Sequence, residues 1–550
     1  MKDLKIQYDH QLKEIEKKHQ LWITLFVINT IIFIFLLYRS ISISFQKALI
    51  PVFLLYFVIM IFTDKINQQK NTLQSRLNVI NRYEAKKRYE LDKLDSGANI
   101  DHSIYLEDLD IVGKHSLFQY LNCANTIEGK RKLIKRFENT DNDLLDYQEA
   151  ILEFKEQKEL MIEIQSNLKE DLSLKALTDR MNFSTQKVKG VLLIDFLLDI
   201  LIIFSFCRMN VQYACILFVL HYLISSFYSM YYSNYFKGNE DTFLFLNHLK
   251  IKISTNFHSK KLSKIQDDYN KMIRQFKVID KLDILYALDH NILSSLLGNG
   301  FFSLRLWIVY FYNTYLETNI IKEWCEDYSE LEMLTSLSSL FILQTHITKA
   351  EVSDHFEIIN GIHPLVINCI PNSLSENSVT IITGSNMSGK TSFLRMIGIN
   401  LILMNAGGFC LADSLKSPIY RVVTSMRIQD NLSKGISTFL GELKRVKEAL
   451  DYDHTQMVLI DEIFKGTNYQ DRITGAKEVI HKLQDKKCSV LITTHDFQLC
   501  EEKGVANYYF KEEYINDEIV FDYKIHKGIS NTSNALYLMK KIGIIGGENH

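Results

Sequence analysis

Proline is almost missing from this sequence. Its four residues fall at 51, 364, 371 and 418, so more than 300 consecutive positions between Pro51 and Pro364 contain none. Glycine is scarce in the same stretch: seven of the 22 lie in residues 1–360 and fifteen after them. Helix interiors exclude both, proline through its missing amide and ring clash, glycine through its entropy. The Leu-, Lys-, Glu- and Gln-rich middle therefore predicts nearly continuous helix. Cysteine patterning is absent too. The eight cysteines (123, 207, 215, 325, 369, 410, 488 and 500) form no CxxC and no Cys/His spacing. That argues against a zinc site or disulfide framework and for reduced thiols in a reducing compartment. Charge of one sign is lacking as well. A formal charge of −2 on 550 residues exerts no global pull on nucleic acid, so any DNA contact needs a local basic patch. At this length several domains are expected, and the 47% hydrophobic content supplies large cores.

What the chain does have is long uncharged runs. Leu21 to Tyr38 carries no charge over a length that spans a bilayer core, and Ala48 to Thr63 follows after Arg39 and Lys47. Apolar residues run all round both segments instead of forming one stripe, which favours a transmembrane hairpin over a buried soluble pair. Val191–Cys207 and Val211 to about Tyr231 form a second candidate hairpin. It contains Asp195 and Asp199, one turn apart, each costing about 2.5–3.5 kcal/mol at mid-membrane, so a buried soluble hairpin competes there. Lys2, Lys5, Lys13, Lys17 and Lys18 precede the first run, and Lys65, Lys70, Arg76 and Arg82 follow the second. The connections offer only Arg39, Lys47 and Arg208. The positive-inside bias then puts both termini in the cytosol. Residues 1–20 mix lysines with acids and lead into a run without a cleavage site, so an uncleaved, solvated helix is expected.

After residue 350 the pattern changes. Short β-rich runs such as Val379–Thr383 and Met457–Ile460 alternate with helical stretches, the mark of an α/β domain with a mainly parallel sheet. Gly384-Ser385-Asn386-Met387-Ser388-Gly389-Lys390-Thr391 fits GxxxxGK[ST], with a strand before it and a helix opening at Ser392 behind it. Such a loop folds its amides around phosphates at a helix N-terminus. Lys390 is expected to reach the β- and γ-phosphates of ATP, and Thr391 to ligate Mg2+. Asp461 and Glu462 end an apolar strand, where the first would hold Mg2+ and the second would polarise the attacking water. A third strand, Ser489–Thr494, ends at His495, positioned for the γ-phosphate or the water. A lone DE pair or a lone histidine is usually structural; behind a phosphate loop both read as functional.

These motifs resemble the ATPase domain of the MutS mismatch-repair family: TGSNMSGKT at 383–391, DEIFKGTN at 461–468 and TTHD at 493–496. Gly435-Ile-Ser-Thr-Phe-Leu-Gly-Glu442 is similar to that family's signature segment, where transporters carry LSGGQ. Tyr523-Lys524, Gly528 and Ser533-Asn-Ala-Leu536 are similar to its C-terminal segment, and His363-Pro364 to the start of its domain. Ser116–Asn122 through Leu133 more weakly resembles the start of its helical core. There are departures. Ser385 and Ser388 replace the usual Pro and Gly, Thr391-Ser392 inverts Ser-Thr, and Phe464-Lys465 replaces Gly-Arg.

The resemblance implies an α/β P-loop NTPase C-terminal domain of ABC-type, MutS-like fold, preceded by an all-α core and lever region, into which the apolar runs add transmembrane helical hairpins. The expected division is a cytosolic helix (1–20), a hairpin (21–63), a helical region (64–190), a second hairpin (191–232), continued core and lever (233–350) and the ATPase domain (351–550). It further implies a homodimer joined head to tail through the ATPase domains. Ser437 of one subunit would then meet the γ-phosphate at Lys390 of the other, with Asp471 near the interface. No mismatch-reading segment is recognised, so a membrane-anchored ATPase that moves helical arms is the expected function. A DNA-binding repair ATPase is the first alternative. Its local support is the cluster Lys130, Arg131, Lys132, Lys135 and Arg136, which reads at least as well as a solvated face. A transporter component is the second, resting only on Asp195 and Asp199.

Overall fold

The computed structural model describes residues 1–38, 43–140, 143–168, 171–179, 186–207, 249–289, 314–375, 379–385, 387–426, 438–486, 488–515 and 518–529, with short pieces among 213–246 and at 310–311. A helical N-terminal region is followed by an α/β C-terminal domain. The main helices of the first are α1 (Lys2–Tyr38), α2 (Ile43–Lys87), α3 (Ile127–Glu138), α4 (Leu144–Phe154), α5 (Lys158–Asn167), α6 (Gln186–Cys207), α7 (Lys260–Asp289) and α8 (Thr318–Ser338).

The solvated helix and the first apolar run are a single element, α1, because neither proline nor glycine interrupts residues 1–38. It lies antiparallel to α2, which at 45 residues is roughly 65 Å long. Near the chain terminus the pair is joined by Lys5–Glu84 at 2.8 Å and Lys70–Glu16 at 3.7 Å. Further out, Trp22 stacks on Phe62 at 4.9 Å and Asn29 Nδ2 donates to the Val52 carbonyl at 3.3 Å. The two halves differ in surroundings. The polar half buries Tyr8, Leu77, Ile80 and Tyr83 in the core, and the apolar half leaves Leu21, Ile31, Ile34, Phe35, Leu55 and Phe62 exposed. Among the described residues one helix, within Lys2–Phe35, is long and apolar enough to cross a membrane. In α6, Leu193, Phe196, Leu197 and Phe204 are exposed in the same manner. The side chains of Asp195 and Asp199 and most of 208–245 lie outside the described residues.

Trp324, Tyr328 and Phe154 centre the helical core, with Tyr269 and Phe276 packed on Trp324 at 5.6 and 6.1 Å. Three of the five basic residues on α3 are engaged by protein groups, and Arg131 and Lys135 are exposed. Lys130 is buried between Asp95 and Asp171 at 2.6 and 2.7 Å, and Lys132 pairs with Glu330 at 3.2 Å. Arg136 is buried against the α/β domain.

That domain is built on a six-stranded sheet. Its strands are β1 (Val379–Thr383), β2 (Arg421–Ser425), β3 (Gln456–Asp461), β4 (Cys488–Thr493), β5 (Ala506–Ile515) and β6 (Glu518–Lys527), in the order β6-β5-β1-β4-β3-β2. All pairings are parallel except β5 with β6. Parallel central strands are covered on both faces and so read as unbroken apolar runs. The alternation sorts them: Ile382, Leu459 and Leu491 join the core shared with the helical region, under α9 (Lys390–Gly407). Ile381, Val458, Ile460, Val490 and Ile492 face the other way, under α10 (Thr438–Asp451) and α11 (Tyr469–Gln484). A four-stranded sheet including Glu357–Gly361 and Asn372–Ser375 flanks the β6 side.

Candidate nucleotide site

The C-terminal ends of β1, β3 and β4 are adjacent, as ligand sites of open parallel sheets require. Register pairs Thr493 with both Ile382 and Asp461, so three loops open side by side. The loop after β1 turns into α9 through two glycines in left-handed backbone, Gly384 at φ 146° and Gly389 at φ 102°. A Cβ on Gly384 would stand 3.1 Å from the Phe510 carbonyl oxygen, so the close approach also demands glycine there. Lys390 opens α9 and its Nζ donates to the carbonyls of Gly384 and Ser385, at 2.8 Å each. Burial lowers its pKa, against the raising effect of Glu462 and Asp461.

Asp461 accepts from Thr391 Oγ1 at 2.8 Å and from Thr493 Oγ1 at 2.5 Å. Glu462 follows at φ 58°, its amide bonded to the Thr493 carbonyl at 3.0 Å. Its carboxylate lies 3.2 Å from His495 Nε2 and 3.3 Å from Lys465 Nζ. The His495 hydrogen bond, aided by the charge of Lys465, holds it down to about 2 against the upward push of burial. Glu462 is therefore an anion at neutral pH.

Lys390, Thr391, Asp461 and Glu462 line a cavity of about 540 Å3, within the range of small-ligand sites. Met387, Gly389, Lys390, Thr391, Ser392, Asp461 and Glu462 form its floor, and Val366, Ile367, Ile370, Phe510 and Tyr523 its apolar walls. Asn372 braces one wall, donating to the Tyr523 carbonyl at 3.0 Å and accepting from the Ile525 amide at 2.8 Å. Burial holds His363, on the same wall, down to about 4, so its ring is neutral and its Nδ1 accepts the Leu365 amide at 3.2 Å.

Whether a polyphosphate and Mg2+ suit this floor can be judged from its polar atoms and those of the loop beside it. The Ser385 and Ser388 hydroxyls are buried and find no hydrogen-bond partner among the described residues. Buried polar groups are normally satisfied, so two orphans beside a lysine and a helix N-terminus suit an anion. Thr391 with Asp461 is a hard oxygen pair of the kind magnesium takes. The floor fits both groups.

Residues 380–545 match MutS domain V. Over that stretch the chain carries a domain of the MutS family. It is 31% identical over 232 residues to the DNA mismatch repair protein MutS of Thermotoga sp. (strain RQ2), covering 40% of this chain and 29% of that one. The protein of the same name from Clostridioides difficile (strain 630) is 30% identical over 244 residues, 41% of this chain and 26% of that one. That from Aquifex pyrophilus is 29% identical over 231 residues, 39% and 27% respectively. The chain thus spans less than a third of the length of these curated MutS relatives.

The structure brings together Gly384, Ser385, Met387, Ser388, Gly389, Lys390, Thr391, Ser392, Asp461, Glu462 and His495. Asn386 and Ser437 lie outside the described residues. Asp471 is exposed at the start of α11, its amide donating to Asn468 Oδ1 at 2.9 Å. Sequence reasoning missed three participants. Thr493 was legible only as part of TTHD, and the wall residues Asn372 and Phe510 carry no motif of their own.

Proposed function

We propose that this protein is a membrane-anchored ATPase of the MutS family that hydrolyses ATP at the cavity of Lys390 and works as a head-to-tail dimer. One observation carries the ATPase reading: Lys390, Thr391, Asp461 and Glu462 meet at one cavity from the ends of β1 and β3, with His495 on Glu462 behind it and the partnerless Ser385 and Ser388 hydroxyls in the adjoining loop. The apolar walls suit a base and the loop suits the phosphates, with Lys390 released from the loop carbonyls to the β- and γ-phosphates. Thr391 and Asp461 would hold Mg2+, which supplies charge neutralisation on the phosphates. Glu462 orients the attacking water. With a pKa near 2 it is a weak base, so its contribution is polarisation of the water more than complete proton removal. The water oxygen forms the new bond to the γ-phosphorus as the bond to the bridging oxygen breaks, leaving ADP and phosphate. His495 and Lys465 fix the Glu462 carboxylate meanwhile.

Ser437 of the partner subunit in such a dimer would complete the site, as its place in the family's signature segment implies. The membrane reading rests on where apolar surface is exposed. It is concentrated on the outer half of α1–α2 and on α6, and the inner half of α1–α2 is locked to the helical core. DNA binding is favoured by the names of the relatives and, on α3, only by the exposed Arg131 and Lys135. On α3, Lys130, Lys132 and Arg136 are engaged by protein groups and unavailable to phosphates.

The test is hydrolysis by the full chain in detergent or liposomes, beside Glu462→Gln. The variant should bind ATP and turn it over roughly 100-fold or more slowly. Equal turnover by both would refute the role of Glu462. ATP-dependent dimerisation of the same variant tests the assembly.

A further inference from the structure

The segment Ile104–Asp110 belongs to the helical region yet is embedded in the α/β domain. Tyr105 is buried with Val379, Ile381, Val423 and Val446, and its hydroxyl donates to Glu448, which also pairs with Arg421. Leu109 fits over Gly398 of α9, where a Cβ would stand 2.6 Å from Leu109 Cδ2. Arg395, one turn past the phosphate loop, donates to the Asp108 carbonyl at 3.0 Å and pairs with Asp110 at 2.8 Å.

The Asp108 carboxylate, 1% exposed, goes elsewhere. Its Oδ2 accepts from Thr424 Oγ1 at 2.8 Å, the Met426 amide at 3.2 Å and Arg445 Nη1 at 2.5 Å. Thr424 and Met426 end the chain leading into residues 427–437. Arg445 stands on α10, which starts directly after them. One buried carboxylate from the helical region therefore holds both flanks of the stretch carrying Ser437, and the main chain of the same residue holds the phosphate-loop helix. Removing the charge would take from Arg445 the carboxylate it meets in the interior, and the flanks would relax in response.

We propose that Asp108 is a positioning residue for hydrolysis. It holds the end of β2 and α10 against the Lys390 helix of its own subunit, so the orientation of the helical region is imposed on the nucleotide site. The proposal rests on the ATPase reading above. It adds a residue that touches neither nucleotide nor metal in that reading.

The experiment compares the full chain with Asp108→Asn, Arg445→Gln and the milder Thr424→Val. Two readouts are taken: amide hydrogen exchange without nucleotide, and kcat and KM for ATP with binding of a fluorescent ATP analogue. Asp108→Asn should speed exchange at Met426 and along α10, with β1 and β3 still protected. Analogue affinity should stay within about twofold and kcat should fall tenfold or more. Arg445→Gln should act likewise, without adding to Asp108→Asn when combined. Thr424→Val should lower kcat less, at the same KM. Unchanged exchange at α10, or unchanged kcat in a folded Asp108→Asn protein, overturns the proposal. So does a parallel loss of affinity and kcat in both Asp108→Asn and Thr424→Val, which marks a merely structural role. If the unmodified chain hydrolyses no ATP, the ATPase reading falls, and exchange at α10 still decides whether Asp108 holds the flanks.

Discussion

At the scale of residues, the state of Glu462 depends on a neighbour. The hydrogen bond from His495 is the largest influence keeping its carboxylate near 2, so over the pH range where the protein stays folded this group is ionised. The acid limb of kcat/KM should therefore not fall where an ordinary glutamate titrates, around 4.3. In His495→Ala the opposing push of burial gains weight, and the limb should move up in pH; a limb at the same pH in both proteins would remove His495 from this role. Glu332 is the opposite case. Burial lifts it to about 7, although it accepts from the Asn125 and Thr126 amides at 2.9 and 3.2 Å at the start of α3. An acid whose folded pKa stands above its unfolded value contributes stability that is fully present below the unfolded value and lost as pH rises through the folded one. Melting temperature should accordingly fall from about pH 4.5 to about 7 through this group, and Glu332→Gln should flatten that slope. Equal slopes would show that Glu332 does not titrate there. Legibility divides along the same line. Lys390, Asp461, Glu462 and His495 were readable because their chemistry needs fixed spacing next to a strand end. Thr493 and Asn372 were not, since their partners are set by register and by a sheet far away in sequence.

At the scale of elements, α9 is gripped along its length by the helical region. Arg395 and Gly398 meet Asp108, Leu109 and Asp110 near its start, and Arg136 meets its end. There the guanidinium donates to the Ala406 and Asn405 carbonyls at 2.7 and 3.2 Å, stacks 3.6 Å from the Tyr147 ring and pairs with Asp143 at 2.7 Å. A cation at the negative end of a helix that carries a phosphate loop at its other end complements both poles. Arg136→Met keeps most of the bulk and loses all of this. It should cost about 2–4 kcal/mol, because buried carbonyls and Asp143 lose their partner. Chemical denaturation measures it, and a change under about 0.5 kcal/mol, typical of a surface site, would contradict the assignment. The run Lys130–Arg136 shows why sequence alone left its purpose open: charge spacing on a helix cannot distinguish a solvated face from one whose counter-ions come from Asp95, Asp143 and Asp171. Helix content, in contrast, was plain from the missing proline and glycine, and the solvated segment 1–20 runs into the first apolar segment as one helix. A change of polarity does not end a helix; only a lost hydrogen bond or a cap does.

For the whole molecule, that unbroken α1 decides how the apolar surface connects to the nucleotide domain. The α1–α2 pair is fixed at its inner half by Arg76–Glu163 at 3.6 Å, by Lys86 Nζ on the Asn122 carbonyl at 2.7 Å and by Gln165 on the Tyr83 hydroxyl at 2.7 Å. Asn122 belongs to the same 104–124 stretch that reaches the α/β domain through Tyr105 and Asp108. Only about 30 Å of the hairpin is needed to cross a hydrocarbon core, and its outer half has that length. Ile31, Ile34 and Phe35 are each more than half exposed on it. In water such a surface costs roughly 25 cal/mol for every Å2, so covering it with lipid or a second chain would be favourable. Lipid and a second copy of the chain make different predictions. If lipid covers it, the full chain sediments with membranes, resists alkaline carbonate and high salt, and dissolves only in detergent. Replacing Ile31 and Ile34 by aspartate then shifts it to the soluble fraction with the nucleotide site intact. If a second copy covers it, carbonate releases the wild-type chain as an oligomer, and the same substitutions give soluble monomers. Release by carbonate would end the membrane reading and leave the ATPase reading standing, because the cavity at Lys390 and the exposed half of α1 share no residue.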